Sequence, residues 1–310
     1  MTLAQLDLLR DSLPPFGAPP ETAAYREFLD YYQLDFHTRM PGVDYRAGLI
    51  PSGTFKLMTH SWTQSGARAN LLLVHGYFDH TGIYGKLIDY GLSQGCNVLM
   101  FDLPGHGLSS GERAIIDDFA DYGDAVASVL SGVSLPDLPQ HVVAQSTGCA
   151  ALMELARRHQ WPFDRVVFLA PLVRPAGWRA VRLGHSLLHR FTESLQRKFN
   201  ENSSDLDFLR FVRRDPLQCH RVSLRWIGAL KRWLKDLPLA DLGVGPLLVL
   251  QGDKDTTVDW RYNVQAIARL VPGSRVESLA GAGHQLANES QAIRADYTGR
   301  INEYLFPAAG

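Results

Sequence analysis

A serine that follows an apolar run is the first residue of this sequence with the setting of a nucleophile. Ser146 lies in the segment AQSTG (144–148), after the apolar run 141–144 and before a stretch with helical periodicity. Small residues two positions before and after the serine allow the sharp strand-to-helix turn called a nucleophile elbow. The free N–H groups at the start of the helix favour negative charge. The pattern predicts a catalytic Ser146, whereas the alternative is an ordinary serine at a helix start.

A nucleophilic serine needs a base that takes its proton and a carboxylate that orients the base. Asp255 lies in a loop three positions after the glycine that ends the apolar run 247–250. His284 ends the Gly-rich segment 281–284, which follows the run 275–279. The chain order serine, acid, histidine is typical of elbow-bearing hydrolases. We therefore expect Ser146, Asp255 and His284 to form a catalytic triad.

Two other aspartates lie close to Asp255 in the sequence and are rival candidates for the acid. Asp253 follows the strand so closely that its side chain is poorly placed to reach the histidine. Asp259 directly precedes a helical stretch that begins at 260, a position that suits a helix N-cap. These positions favour Asp255.

An oxyanion hole needs two N–H donors directed at the developing negative charge. The residue after the nucleophile, Thr147, is expected to supply one, and Tyr77 in the loop HGYFDH (75–80) the other. His75 is expected to brace this loop by hydrogen bonds. Phe78 and Gln145 are the candidate substrate contacts.

Short apolar runs alternate with amphipathic stretches from about residue 45 onward, which predicts a mostly parallel sheet with helices on both faces. The predicted strands are 71–74, 98–101, 141–144, 166–169 and 247–250. The predicted helices are 83–94, 117–131, 147–160, 260–271 and 285–304. Ligand sites of such α/β sheets lie at the carboxyl ends of the strands, where the predicted catalytic residues fall.

Two segments lie outside this alternation, and they divide the chain into three parts. Residues 172–240 contain no convincing strand, and apolar residues recur at intervals of four from 187 to 199 and from 226 to 234. We expect a helical cap, inserted into a core made of 45–171 and 241–310. Residues 1–44 are predicted to be an N-terminal extension with one helix, over 21–36, whose aromatic stripe packs against the core.

Composition and charge bear on the partners that the chain could have. The chain has 310 residues and a formal net charge of −1, which does not indicate a nucleic-acid partner. Between 172 and 235 there are 14 basic and five acidic residues. This basic cap is either a solvated surface or attracted to an anionic lipid surface or an anionic substrate.

Three cysteines without a CxxC motif favour free thiols over a disulfide framework or a zinc site. The first 15 residues lack the features of a signal peptide, and no run approaches the length of a membrane span. We therefore expect a soluble, cytoplasmic protein.

Five stretches resemble the monoacylglycerol lipase and lysophospholipase group of α/β-hydrolases, a group also described as serine aminopeptidase-like. They are HGYFDHTGIY (75–84), FDLPGHGLSSGERAIIDDFADYGDAV (101–126), AQSTG (144–148), GDKDTTVD (252–259) and GAGHQLANE (281–289). The resemblance implies a capped α/β-hydrolase fold and no cofactor. It also implies a triad of Ser146, Asp255 and His284, with Tyr77 and Thr147 as oxyanion donors.

The chain departs from the group at two positions beside the nucleophile, where it has Gln145 instead of the usual His and Cys149 instead of a second Gly. The expected activity is hydrolysis of lipid-like carboxylic esters of monoacylglycerol or lysophospholipid type, through an acyl-enzyme on Ser146. The alternatives are an acyltransferase, thioesterase or amidase with the same triad, and a non-catalytic binding protein on the same scaffold.

Overall fold

The computed structural model describes residues 1–307, and an eight-stranded sheet lies at its centre. The strands are β1 (Val43–Ser52), β2 (Phe55–Gln64), β3 (Ala69–Val74), β4 (Cys96–Phe101), β5 (Gln140–Gln145), β6 (Arg165–Leu169), β7 (Ser194–Gln196), β8 (Arg221–Ser223), β9 (Leu248–Gly252) and β10 (Arg275–Leu279). The large sheet has the order β1-β2-β4-β3-β5-β6-β9-β10, and β7 pairs with β8. Only β2 runs against its neighbours in the large sheet. The predicted mostly parallel sheet is confirmed.

Helices cover both faces of this sheet, as the alternation of strands and helices predicts. They are α1 (Leu3–Asp11), α2 (Ala23–Tyr32), α3 (Phe36–Arg39), α4 (Gly85–Ser93), α5 (Ala120–Gly132), α6 (Thr147–Arg158), α7 (Trp178–Leu188), α8 (Leu206–Val212), α9 (Leu224–Asp236), α10 (Trp260–Leu270) and α11 (Gln291–Leu305). Two short 3₁₀ helices, Thr81–Ile83 and Leu286–Asn288, adjoin the site. None of the described helices combines the length and the apolar character that a membrane crossing requires.

The core consists of two apolar layers separated by the sheet, because successive side chains of a strand point to opposite faces. On β3, Leu71 and Leu73 pack into the layer that also contains α1, α2 and α11. Leu72 and Val74 pack into the layer formed with α5, α6 and α10. All four side chains are buried, which explains why the strand sequence is a continuous apolar run.

The N-terminal extension differs from the prediction, because residues 1–44 contain three helices instead of one. The predicted helix over 21–36 ends at Tyr32, since Gln33 adopts a left-handed conformation with φ 55°. The chain then starts α3 at Phe36. The aromatic stripe is buried as predicted, and the Tyr25 hydroxyl lies 2.6 Å from that of Tyr45 on β1.

The segment predicted to be an inserted cap, residues 172–240, contains α7, α8 and α9 and also a short two-stranded sheet. The prediction of an all-helical cap is therefore wrong at β7 and β8. The helical periodicity predicted over 187–199 ends at Leu188, and the chain becomes β7 six residues later. Phe191, which the periodicity placed on a packed face, is 84% exposed. Residues 308–310 of the predicted core lie outside the described part of the chain.

A buried ion pair fixes the cap to the core. Asp215 of the cap lies 2.7 Å from His80 Nε2 and accepts a hydrogen bond of 2.6 Å from the Tyr32 hydroxyl of α2. Burial disfavours both charged forms, but their mutual attraction outweighs it: the pKa of His80 lies above its ordinary value and that of Asp215 below. Three separate parts of the chain therefore meet at one polar contact beneath the cap.

Candidate active site

Ser146 lies at a strained turn between β5 and α6. Its backbone has φ 52° and ψ −114°, a region that non-glycine residues rarely occupy. The turn is tight because Gly148 packs against β3: a Cβ at this glycine would lie 2.4 Å from the Val74 carbonyl oxygen. Ala144 is fully buried two residues before the serine, so alanine is compatible with the elbow at the position where glycine is more usual.

In the predicted triad, Ser146 and Asp255 each lie within hydrogen-bond distance of His284. Ser146 Oγ is 3.0 Å from His284 Nε2, and His284 Nδ1 is 2.8 Å from Asp255 Oδ2. Burial lowers the pKa of His284, whereas the Asp255 carboxylate raises it, and the net pKa lies above its ordinary value. This geometry can pass the serine proton to the imidazole while the carboxylate stabilises the resulting cation.

Asp255 is held by donors from its own loop. Its carboxylate accepts hydrogen bonds from the N–H groups of Thr257 (2.8 Å) and Val258 (3.2 Å) and from the side-chain amide of Gln251 (3.1 Å). Burial raises the pKa of Asp255, but His284 and these donors outweigh it, so the pKa lies below its ordinary value. The carboxylate is therefore ionised at neutral pH.

The rival aspartates have other partners. Asp253 accepts a hydrogen bond of 2.8 Å from the backbone N–H of Gly281 and is exposed. Asp259 caps α10 as predicted, accepting from the N–H of Tyr262, and it pairs with Arg174 at 2.7 Å. Neither lies against His284.

The two predicted oxyanion donors adjoin Ser146. Tyr77 and Thr147 line the same cavity as the serine, and within residues 1–307 neither backbone N–H donates to a protein acceptor. The loop that contains Tyr77 approaches closely, because a Cβ at Gly76 would lie 3.1 Å from that of Ser146. His75 braces this loop as expected: its ring contacts the Gly76 carbonyl at 2.8 Å and accepts from the Leu103 N–H at 2.9 Å.

A cavity of about 300 Å³ extends from Ser146 into the cap. Helix α9 supplies apolar side chains to its wall, including Trp226, Ile227 and Leu230. The Trp226 ring stacks on Tyr77 at 3.9 Å between centroids, so this part of the cap rests directly on the oxyanion loop. Phe78, a predicted substrate contact, also lines the cavity.

Gln145, the other predicted substrate contact, does not line this cavity. Its amide donates a short hydrogen bond to Gln285, and its carbonyl oxygen accepts from the Ala287 N–H at 2.8 Å. The side chain therefore joins the end of β5 to the loop that carries His284. Gln145 thus lies outside the cavity wall in the described structure, and a contact of this residue with substrate stays a prediction.

Sequence reasoning assigned no role to Asp79, which the structure places beside the triad. Its carboxylate accepts hydrogen bonds from Gln285 (2.9 Å), the Tyr84 hydroxyl (3.0 Å) and the Gly76 N–H (3.3 Å). Asp79 thus connects the oxyanion loop to the residue after His284. The HG-x-x-D-H spacing marks this aspartate in the sequence, but its partners lie up to 206 residues away.

Fold and site geometry together define an α/β-hydrolase with a cavity that is lined by Ser146. The family model for serine aminopeptidase, S33, matches residues 65–291, and the chain belongs to this family. This confirms the resemblance found in the sequence, and the protein is a serine ester hydrolase.

Known proteins of related sequence and structure agree with this placement. A probable lysophospholipase L2 from Haemophilus influenzae is 23% identical over 78% of this chain and 85% of its own length. Monoglyceride lipase from Mus musculus is 28% identical over 80% of this chain and 86% of its own. The solved structure of a soluble variant of monoglyceride lipase from Saccharomyces cerevisiae shares the fold, with a TM-score of 0.70 and 20% identity over 83% of this chain and 94% of its own.

Proposed function

We propose that the protein hydrolyses single-chain acyl esters of monoacylglycerol or lysophospholipid type, through an acyl-enzyme on Ser146. The observation that carries this proposal is the 3.0 Å contact between Ser146 Oγ and His284 Nε2 at the base of a cavity with apolar walls. Single acyl chains are apolar and slender, which suits the wall supplied by α9. The names of the related lipases and lysophospholipase support the same class of substrate.

The proposed reaction consists of two successive displacements at the acyl carbonyl. His284 takes the proton of Ser146 as Oγ attacks the ester carbonyl, and the N–H groups of Tyr77 and Thr147 stabilise the oxyanion. His284 then gives this proton to the alcohol that leaves. A water molecule, deprotonated by His284, then attacks the acyl carbonyl. The bond between this carbon and Ser146 Oγ breaks, His284 returns the proton to Oγ, and the fatty acid leaves. Asp255 stabilises the charged imidazole in both displacements.

A series of p-nitrophenyl esters from acetate to palmitate tests the apolar acyl site. Because longer chains bury more apolar surface against the cap, kcat/KM is expected to rise from acetate to a maximum at medium or long chains. The Ser146→Ala variant supplies the blank. Activity confined to acetate would contradict a lipid substrate, and a folded protein inactive on every ester would favour amides, thioesters or a binding role.

We also propose that the cap contacts anionic membrane surfaces through a patch on and after α7, here called the α7 patch. It consists of the exposed Leu183 (62%), Leu187 (61%) and Phe191 (84%), with the exposed Arg179 and Arg182. Exposed apolar side chains beside arginines match the boundary between lipid headgroups and acyl chains.

Co-sedimentation with vesicles tests the α7 patch. The protein is expected to bind vesicles of phosphatidylcholine with 30% phosphatidylglycerol more tightly than vesicles of phosphatidylcholine alone. The binding free energy is expected to be more favourable by about one kcal/mol for each arginine that contacts the membrane. The double variant Leu187→Ser, Phe191→Ser is expected to lose this binding, whereas Leu239→Ser, at an exposed leucine outside the patch, keeps it. Equal binding to both vesicles would contradict the proposal.

For localisation we propose the cytoplasm. Cys96 and Cys149 are buried free thiols and Cys219 is a partly exposed one, a pattern that suits a reducing compartment. Fractionation of the native cells tests this, since activity is expected in the cytosolic fraction and its recovery from an extracellular fraction would contradict it.

A further inference from the structure

A cation of the cap lies in the wall of the active-site cavity. Arg197 directly follows β7, and its backbone N–H donates to the His220 carbonyl oxygen at 2.9 Å. Its side chain lines the same cavity as Ser146 and His284. The triad and the proposed hydrolysis of a neutral ester require no cation at this position, so Arg197 is a feature that the mechanism does not use.

The guanidinium of Arg197 is held in place, and the Asp79 carboxylate attracts it only from beyond ion-pair distance. Its carbon Cζ lies 4.0 Å from the ring centroid of Phe78 and 4.5 Å from that of Phe199. One nitrogen, Nη1, donates to Gln218 (2.9 Å) and to the Cys219 carbonyl oxygen (3.1 Å). Among residues 1–307 no carboxylate lies within 4.0 Å of Arg197, and Nε and Nη2 donate to no protein acceptor.

The acidic residue of the same cavity is already satisfied by other groups. Asp79 accepts from Gln285, Tyr84 and Gly76, all at 3.3 Å or less. Two further cations, Lys198 and Arg213, line the cavity and are exposed at its rim, and neither pairs with a carboxylate in the described chain. The cavity therefore carries three positive side chains and one negative side chain.

The part of the wall from α9 is apolar, whereas the part that follows β7 mixes cationic, polar and aromatic side chains. Helix α9 supplies Trp226, Ile227 and Leu230, and the segment after β7 supplies Arg197, Lys198, Phe199, Asn200 and Asn202. An apolar wall joined to a cationic one matches a lipid with a single acyl chain and an anionic headgroup. An arginine fork with free N–H groups is well suited to phosphate oxygens.

We propose that Arg197 is a specificity-determining residue that binds a phosphate in the alcohol part of the substrate, so that the preferred esters are anionic lysophospholipids instead of neutral monoacylglycerols. This inference rests on the proposed function and narrows its substrate class. Lys198 and Arg213 attract the same group at the rim. The phosphate takes no part in the bond that is broken, because Ser146 attacks the acyl carbonyl and the phosphorylated glycerol leaves as the alcohol.

The test compares two substrates with the same acyl chain, 1-oleoyl-lysophosphatidic acid and 1-oleoylglycerol, in neutral detergent micelles. The unchanged enzyme is expected to favour the lysophosphatidic acid in kcat/KM. Arg197→Met is expected to lower kcat/KM for this substrate by about 10- to 100-fold, as expected for lost hydrogen bonds to a charged group, and for 1-oleoylglycerol by less than about threefold. Arg197→Lys is expected to restore part of the preference.

Arg214→Met is the matched control, because Arg214 is an exposed arginine of the same cap that does not line the cavity. It removes the same charge and is expected to leave both kcat/KM values unchanged. Equal losses on both substrates in Arg197→Met would indicate a merely structural role and would overturn the proposal. Equal kcat/KM values of the unchanged enzyme for 1-oleoylglycerol and 1-oleoyl-lysophosphatidic acid would overturn it as well, while leaving the proposed function intact.

A binding measurement separates this proposal from catalysis. In the Ser146→Ala background, calorimetry with the alkyl-ether analogue of lysophosphatidic acid is expected to give tighter binding than the neutral alkylglycerol ether. Adding Arg197→Met is expected to remove the difference. Inorganic phosphate that binds as tightly as the lipid ether would indicate a site for free anions and would overturn the lipid assignment. If no ester is hydrolysed by the folded enzyme, the proposed function and this inference both fail.

Discussion

Replacing Ser146 with alanine is expected to lower kcat for acyl-ester hydrolysis by about 10⁶-fold, to the level that binding and oxyanion stabilisation alone supply. The reason is that Ser146 Oγ is the atom aligned with His284 Nε2, at 3.0 Å, and alanine has no oxygen to form the acyl-enzyme. Steady-state hydrolysis of the best p-nitrophenyl ester measures this loss. KM is expected to change little, because the acyl chain still contacts the cap.

The fold is expected to survive this substitution. Alanine meets no more strain than serine at φ 52°, and the side chain of Ser146 has one hydrogen-bond partner, His284. The melting temperature of Ser146→Ala is expected to match that of Ser131→Ala, a change at an exposed helical serine that is expected to leave activity intact. A folded Ser146→Ala enzyme with more than about one per cent of the original kcat would disprove the assignment of the nucleophile.

Replacing Asp255 with asparagine is expected to lower kcat by about 10⁴-fold. Asparagine has nearly the same shape but can present its N–H₂ group to His284 Nδ1, which favours the tautomer that cannot accept the serine proton at Nε2. It also removes the negative charge that stabilises the imidazolium. The same ester assay measures the loss, and Asp253→Asn is the matched control, since Asp253 bonds to Gly281 instead of the histidine.

The pH profile distinguishes this role from a structural one. In the proposed mechanism neutral His284 is the active form, so kcat/KM is expected to fall as the pH falls through the pKa of His284, which Asp255 raises above its ordinary value. In Asp255→Asn the negative charge beside His284 is absent, while the burial that lowers the pKa of His284 remains. The decrease in the remaining kcat/KM on the acidic side of the pH profile is therefore expected at lower pH. An unchanged acidic side of the pH profile in Asp255→Asn would argue that Asp255 does not interact with His284.

The parts of the site that depend on local sequence could be predicted. Ser146 was identifiable because an apolar strand, a small-residue turn and a helix follow one another within a few residues. Asp255 and His284 followed from their positions after later strands. The carboxyl ends of parallel strands meet at one edge of the sheet, which brings residues 138 positions apart in the sequence into contact.

Features that depend on distant partners could not be predicted in the same way. Gln145 adjoins the nucleophile in the sequence, yet its amide binds residues 285 and 287, a pairing that no local pattern records. Strands of three residues, such as β7 and β8, are too short for periodicity to distinguish from loops. Arg197 was identifiable only as one of many cap cations, because its place in the cavity depends on how β7 pairs with β8.

Covalent labelling followed by mass spectrometry tests the central claim, an activated nucleophile at Ser146, most directly. The protein is incubated with an alkyl fluorophosphonate, its residual esterase activity is measured, and the modified peptide is sequenced. We expect one adduct per chain, located on Ser146, with loss of esterase activity in proportion to labelling and no adduct in Ser146→Ala or His284→Ala. An adduct on another residue, or esterase activity that persists in fully labelled protein, would contradict this account.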